Sequence, residues 1–101
     1  MNTCSFCRII ARQAPGYIID EHDLVITFLS LENHPLVVPK QHIANIYSLD
    51  DVTGHAMMST LITIANTVKN RMACDGVYIT QANEPAAGQD VFHLHFHVYP
   101  R

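Results

Sequence analysis

Apolar and polar positions follow two different periods along this chain. Between residues 17 and 39 the apolar residues come in short runs: Tyr17-Ile18-Ile19-Asp20, Leu24-Val25-Ile26-Thr27-Phe28-Leu29 and Pro35-Leu36-Val37-Val38-Pro39. Runs of this length, rich in β-branched residues, predict strands. The first two are close enough, across Glu21-His22-Asp23, to form a hairpin. Proline bounds the third at both ends. Further on the period changes. Met57, Leu61, Ile64, Ala65, Val68 and Met72 are spaced by 4, 3, 1, 3 and 4, one stripe of an amphipathic helix. Ser48-Leu49-Asp50-Asp51 predicts its start, with the Ser48 hydroxyl as cap and acids in the first turn. Lys69 and Arg71 suit its last turn, and Gly76 lies beyond its end. Val77–Thr80 reads as a fourth strand, Asn83–Gly88 as a loop, and Val91–Tyr99 as the last and longest strand. One or two helical turns over Ser5–Arg12, stopped by Ala14-Pro15-Gly16, precede them all. Short connections favour an α+β domain: a mostly antiparallel sheet of about five strands with one long helix on one face.

Composition narrows what such a domain does. The 101 residues suit one domain spanning 1–101, and at 49% apolar they exclude a disordered chain. No apolar run is long enough for a membrane span. Residues 1–7, Met-Asn-Thr-Cys-Ser-Phe-Cys, have neither a basic region nor an apolar signal core, so a cytoplasmic location is expected. A net charge of −3 argues against a basic groove for nucleic acid. Three cysteines, an odd number, disfavour a disulfide framework and leave reduced thiols or a metal site. The 7 histidines outnumber the 6 lysines and arginines together.

Three of those histidines alternate in His93-Leu94-His95-Phe96-His97. In a strand they share one face, with neighbours about 6.5–7 Å apart. Phe92, Leu94, Phe96 and Val98 share the other, expected to meet the long helix. A core explains the apolar row and leaves the imidazoles unexplained. They admit three readings: a polar face that happens to use histidine, a three-histidine metal site, or acid–base and nucleophilic chemistry near neutral pH.

The stretch Gly88-Gln89-Asp90-Val91-Phe92-His93-Leu94-His95-Phe96-His97-Val98 resembles the signature of the histidine triad (HIT) family. His34-Pro35-Leu36-Val37-Val38-Pro39-Lys40-Gln41-His42 is similar to that family's other segment. Cys4-x-x-Cys7 followed by Arg8-Ile9-Ile10 resembles the start of many bacterial, Hint-like members. The resemblance implies the HIT-like fold, a homodimer, and cleavage at the α-phosphate of a nucleotide through a covalent nucleotidyl-histidine. Carried over by position, His95 is the nucleophile and His97 donates to a phosphate oxygen. Gln89 and backbone N–H groups from Gly88 to Asp90 add donors, and His34 supports the row. Phe6, Ile9, Leu31 and Leu36 are expected to line a slot for the base, and Asn83 to reach a phosphate or ribose. Purine nucleotides or nucleoside phosphoramidates are the implied partners, with neither nucleic acid nor membrane. In zinc-bearing members the ligands match Cys4, Cys7, His42 and His93, which implies a structural Zn²⁺ and no organic cofactor. His22 and His55 lack motif partners and read as surface residues. Cys74 reads as a packing residue.

The chain departs from the family pattern in places that bear on substrate. Ser30 stands where many members carry an Asp that binds ribose, and the stretch from Ser30 to His34 is several residues shorter. Asp90 stands where many have Ser or Thr, which changes what a leaving group meets. Ala82 and Asn83 look shifted by one. Dinucleoside polyphosphate hydrolysis is the rival activity, since Val98-Tyr99-Pro100-Arg101 resembles that branch. A regulatory nucleotide-binding module with negligible turnover is the rival from outside enzymology.

Overall fold

A computed structural model describes residues 3–101; the amino-terminal reading of residues 1 and 2 lies outside it. The elements are α1 (Ser5–Ile10), β1 (Ile18–Glu21), β2 (Val25–Leu29), β3 (Pro35–Pro39), α2 (Asp51–Arg71), β4 (Val77–Thr80) and β5 (Phe96–Pro100). Single 3₁₀ turns at Ile46–Ser48 and Pro85–Ala87 punctuate the loops. The five strands form one sheet in the order β1-β2-β3-β5-β4, antiparallel at every pairing. This is the α+β architecture that the run lengths predict. The predicted hairpin is β1–β2, with a bulge between Ile18 and Asp20.

The sheet buries both faces. Val25, Val37, Leu94 and Val98 meet Met57, Leu61, Ile64 and Val68 of α2 in one core. On the opposite face Ile26, Phe28, Leu36 and Val38 meet Phe6 of α1 in a second. Alternate residues of β2 and β3 therefore enter different cores, which is why both runs are apolar throughout. The short amino-terminal helix is thus a second cover for the sheet, opposite α2.

Three expectations change. The cap of α2 is Asp50, whose carboxylate accepts from the Thr53 N–H at 2.7 Å; Ser48 belongs to the preceding turn. Met72, the last residue of the apolar stripe, is 52% exposed, because the helix ends at Arg71. The last strand begins at Phe96 and not at Val91. β5 pairs with β3 only at Leu36↔His97 and Val37↔Phe96. Beyond them Pro39 has no N–H to continue a ladder, and the chain bonds elsewhere: Leu94 N–H donates to the Ile43 carbonyl at 2.7 Å. Phe92 consequently leaves the apolar row and is 49% exposed. From His93 onward the alternation holds.

Candidate active site

The irregular stretch before β5 brings two histidines under α1. His93 is 0% exposed. Its Nε2 lies 2.7 Å from the Pro39 carbonyl oxygen. A carbonyl only accepts, so Nε2 carries the proton and Nδ1 offers a lone pair. His95, 7% exposed, has Nδ1 2.7 Å from the carbonyl of His93. The same logic puts its proton on Nδ1 and leaves Nε2 as the unprotonated nitrogen. The Phe6 ring meets both edge-on, with centroids 5.1 Å from His95 and 5.9 Å from His93. The Asp90 carboxylate stands 4.0 Å from His95 Nε2.

His97 lies on β5 with His34 beside it, at the start of β3. His34 Nε2 and His97 Nδ1 are 2.9 Å apart. Tyr99, two residues further on the same face, packs against His34 at 4.1 Å with the rings tilted by 32°, and lies parallel to His97 at 5.5 Å. Burial holds the His34 pKa below its usual value, with Glu32 opposing. Burial does the same for His97, aided by His95 and His34 and opposed by Asp90 and Glu32. Tyr99 continues the i, i+2 row of histidines, a signal present in the sequence and not used.

His34, His95, His97 and Asp90 form the polar end of a cleft of ≈ 960 Å³. Its apolar walls include Phe6, Ile9, Phe28, Leu31 and Leu36. All four predicted slot residues are therefore brought together. Leu31 is fully exposed at the rim, while Phe6 and Leu36 also serve the core. Pro15, Gly16 and Tyr17, from the stretch after α1, complete the wall and were not anticipated.

Three predicted residues do not reach this cleft. Gln89 is buried with its amide engaged: Nε2 donates to the carbonyls of Ala44 at 2.7 Å and Val91 at 3.1 Å, and Oε1 accepts from Glu84 N–H at 2.6 Å. It is a strut between loops. Asn83 Oδ1 accepts from Ile46 N–H at 2.9 Å and from Gln81 Nε2 at 2.7 Å. Gly88 adopts φ +94°, and an added Cβ would meet nothing within 4 Å. The left-handed φ by itself favours glycine there. The N–H groups of Gly88 and Gln89 donate within that turn, to Pro85 at 3.0 Å and Glu84 at 3.1 Å.

Behind His93 lies a second cluster. Cys4 Sγ, Cys7 Sγ, His42 Nδ1 and His93 Nδ1 all lie within 4.8 Å of one another. His93 Nδ1 is 3.5 Å from each sulfur, Cys7 Sγ is 3.3 Å from His42 Nδ1, and the two nitrogens are 3.2 Å apart. Zinc–ligand bonds in tetrahedral array place nitrogens about 3.3 Å apart and nitrogen from sulfur about 3.6 Å. The cluster can bind a metal. The Pro39 carbonyl supplies the outer hydrogen bond that fixes a ligating imidazole. The expected ligand set is therefore brought together in full.

A two-cored α+β domain with an alternating histidine row over an apolar cleft defines the class of protein. The comparisons name it. Residues 11–101 match the HIT domain, and the chain belongs to the HIT family. An uncharacterized HIT-like protein of Borreliella burgdorferi is 38% identical, covering 100% of this chain and 77% of that one. An adenosine 5′-monophosphoramidase of Saccharomyces cerevisiae is 30% identical, over 97% of this chain and 62% of that one. An adenylylsulfatase of Arabidopsis thaliana is 31% identical, over 99% of this chain and 53% of that one. Among solved structures, a HIT protein of Bacillus subtilis superposes with TM-score 0.95 at 34% identity, covering 99% of this chain and 74% of that one. A Zn-bound histidine triad protein of Mycobacterium smegmatis superposes at 0.91 with 32% identity, covering 98% and 75%. Among the described residues no helix is long and apolar enough to cross a membrane.

Proposed function

We propose that the protein cleaves a nucleoside 5′-monophosphate from its leaving group at the α-phosphate, with His95 as nucleophile. The pinned tautomer of His95 carries this reading. Its Nδ1–H is held by the His93 carbonyl, so a neutral Nε2 lone pair stands at the polar end of the cleft. Such a nitrogen attacks phosphorus without prior deprotonation. The N–P bond forms as the bond to the leaving group breaks, and the leaving group departs with a proton from solvent. The imidazole becomes cationic, and its Nδ1–H bond to the carbonyl strengthens accordingly. Water then cleaves the N–P bond, releasing the monophosphate and restoring neutral His95. His97 donates to a non-bridging oxygen, with His34 behind it. The apolar walls take a purine base. The names of the yeast and plant relatives support chemistry at an adenosine 5′-phosphoryl group.

Asp90 favours an amine leaving group over a polyphosphate. As a carboxylate it accepts hydrogen bonds from an amine and repels an anionic chain 4.0 Å from the reacting nitrogen. We assign zinc to the Cys4, Cys7, His42 and His93 cluster, where two thiolates and two imidazoles suit it. It would cross-link the chain and take no part in the transfer. Thiolate ligands persist in a reducing compartment, which supports a cytoplasmic setting. Exposed Tyr78 and Ile79 on the edge strand β4 support a homodimer.

Mass spectrometry after brief exposure to adenosine phosphoramidate and rapid quench tests the mechanism. An adenylate adduct on His95, absent in His95→Gln, is expected. No adduct with any nucleotide tried would replace this reading with a binding module. In parallel turnover assays the phosphoramidate should outpace a diadenosine polyphosphate, and Asp90→Ser should narrow the gap.

A further inference from the structure

Ser30 directly follows β2, and its hydroxyl oxygen meets three nitrogens. Backbone N–H groups of Glu32 and His34 donate to it at 3.1 and 3.2 Å. His34 Nδ1 lies 2.9 Å away. A serine hydroxyl has two acceptor lone pairs and one proton. The two backbone donors occupy the lone pairs, so the proton points to His34 Nδ1. That nitrogen is then an acceptor, and neutral His34 carries its own proton on Nε2. His34 Nε2–H donates to His97 Nδ1 at 2.9 Å. The Tyr99 hydroxyl lies 3.3 Å from the same nitrogen, whose single lone pair is engaged by the closer His34 N–H. His97 therefore carries its proton on Nε2.

We propose that Ser30 is a positioning residue: through His34 it fixes His97 as a neutral imidazole that presents Nε2–H, and never a lone pair, to an anionic oxygen in the cleft. The short turn makes this possible. Ser30 N–H bonds the His34 carbonyl at 2.8 Å, and Asn33 at φ 68° closes the loop, so residues 30 and 34 face each other directly. The consequence for specificity is a site polarised one way. His95 offers a lone pair to phosphorus while His97, beside it, offers only a donor. A ligand with a hydrogen-bond donor in place of the phosphate oxygen finds no acceptor on His97.

The role assigned to His97 in catalysis rests on the nucleotidyl-transfer reading; the proton register does not. Long-range ¹H–¹⁵N NMR of the full chain at pH 7.5 reads which nitrogen of each imidazole is protonated. Wild type should show Nε2–H on both His34 and His97. Ser30→Ala should return His34 to a mixture of tautomers and carry His97 with it, and Ser30→Thr should restore the wild-type pattern. In turnover, Ser30→Ala should lower kcat about tenfold, the scale of one misdirected hydrogen bond, with KM changed less than about twofold, and Ser30→Thr should recover most of the loss. A proton on Nδ1 of His34 in wild type overturns the proposal. So do tautomers in Ser30→Ala identical to wild type. A wild-type protein with the expected tautomers and no turnover would overturn the nucleotidyl-transfer reading and leave the register standing.

Discussion

His34 and His97 show how two buried imidazoles set a pH response. Burial lowers both pKa values from 6.5. The unfolded chain then binds more protons than the folded one in the window below pH 6.5, so stability is complete above that pH and declines as pH falls through it. Urea midpoints measured at pH 7.5 and 5.5 should show the folded state weaker at 5.5. His34→Gln with His97→Gln should flatten the difference; an equal difference in the double variant would place the response elsewhere. Glu32 and Asp90 oppose the His97 shift, so removing either carboxylate should lower the folded-state pKa further and deepen the loss of stability below pH 6.5 without moving its onset.

At the scale of elements, α1 and the stretch after it form one wall of the cleft, and Gly16 sets how closely they meet. A Cβ at Gly16 would lie 2.6 Å from Ile9 Cγ2, a branch atom with little freedom to retreat. Gly16→Ala should displace Ile9, cost about 1–3 kcal/mol and raise KM more than it lowers kcat. Calorimetry and steady-state kinetics check the two parts. The sequence announces this helix only weakly, because six residues leave no periodic stripe. Strands β2 to β4 and helix α2 are plain by contrast, since β-branched runs and a 3.6-residue stripe report directly on burial. The start of β5 was hidden because the alternation of His93 to His97 continues where the ladder has stopped. What stops it is Pro39, on a neighbouring strand, and no local pattern encodes that. Likewise Gln89 and Asn83 look the same in sequence whether an amide faces a phosphate or a backbone carbonyl. Only the loops packed around them decide it. The metal ligand set was legible through the family resemblance, which joins His42 and His93 to the Cys4 and Cys7 pair, whereas Ser30 stood out only as a departure from the family's ribose-binding Asp, with nothing in the sequence to show its bond to His34.

On the scale of the molecule, two thin cores on opposite sheet faces hold the chain, and the metal cluster joins α1, the segment after β3, and the approach to β5. With bound zinc at about a hundred times its Kd, linkage adds about 2.7 kcal/mol, which for a domain of this size corresponds to about 10–20 °C in Tm. Chelation of the full chain should lower Tm on that scale, and Cys4→Ser should abolish the effect. Metal analysis separates this from a three-histidine centre: His95→Gln should keep its metal and Cys4→Ser should lose it. The reverse pattern would move the metal to the row of His93, His95 and His97.

His93 is common to both centres. Its ring turns toward the cysteines while its own carbonyl steers the ring of His95. If a metal sits on His93, stripping it would disturb the orientation of His95 through a single peptide unit. On the proposed reading, a chelator titration that silences turnover would thus imitate a metalloenzyme although the bound metal would take no part in the transfer.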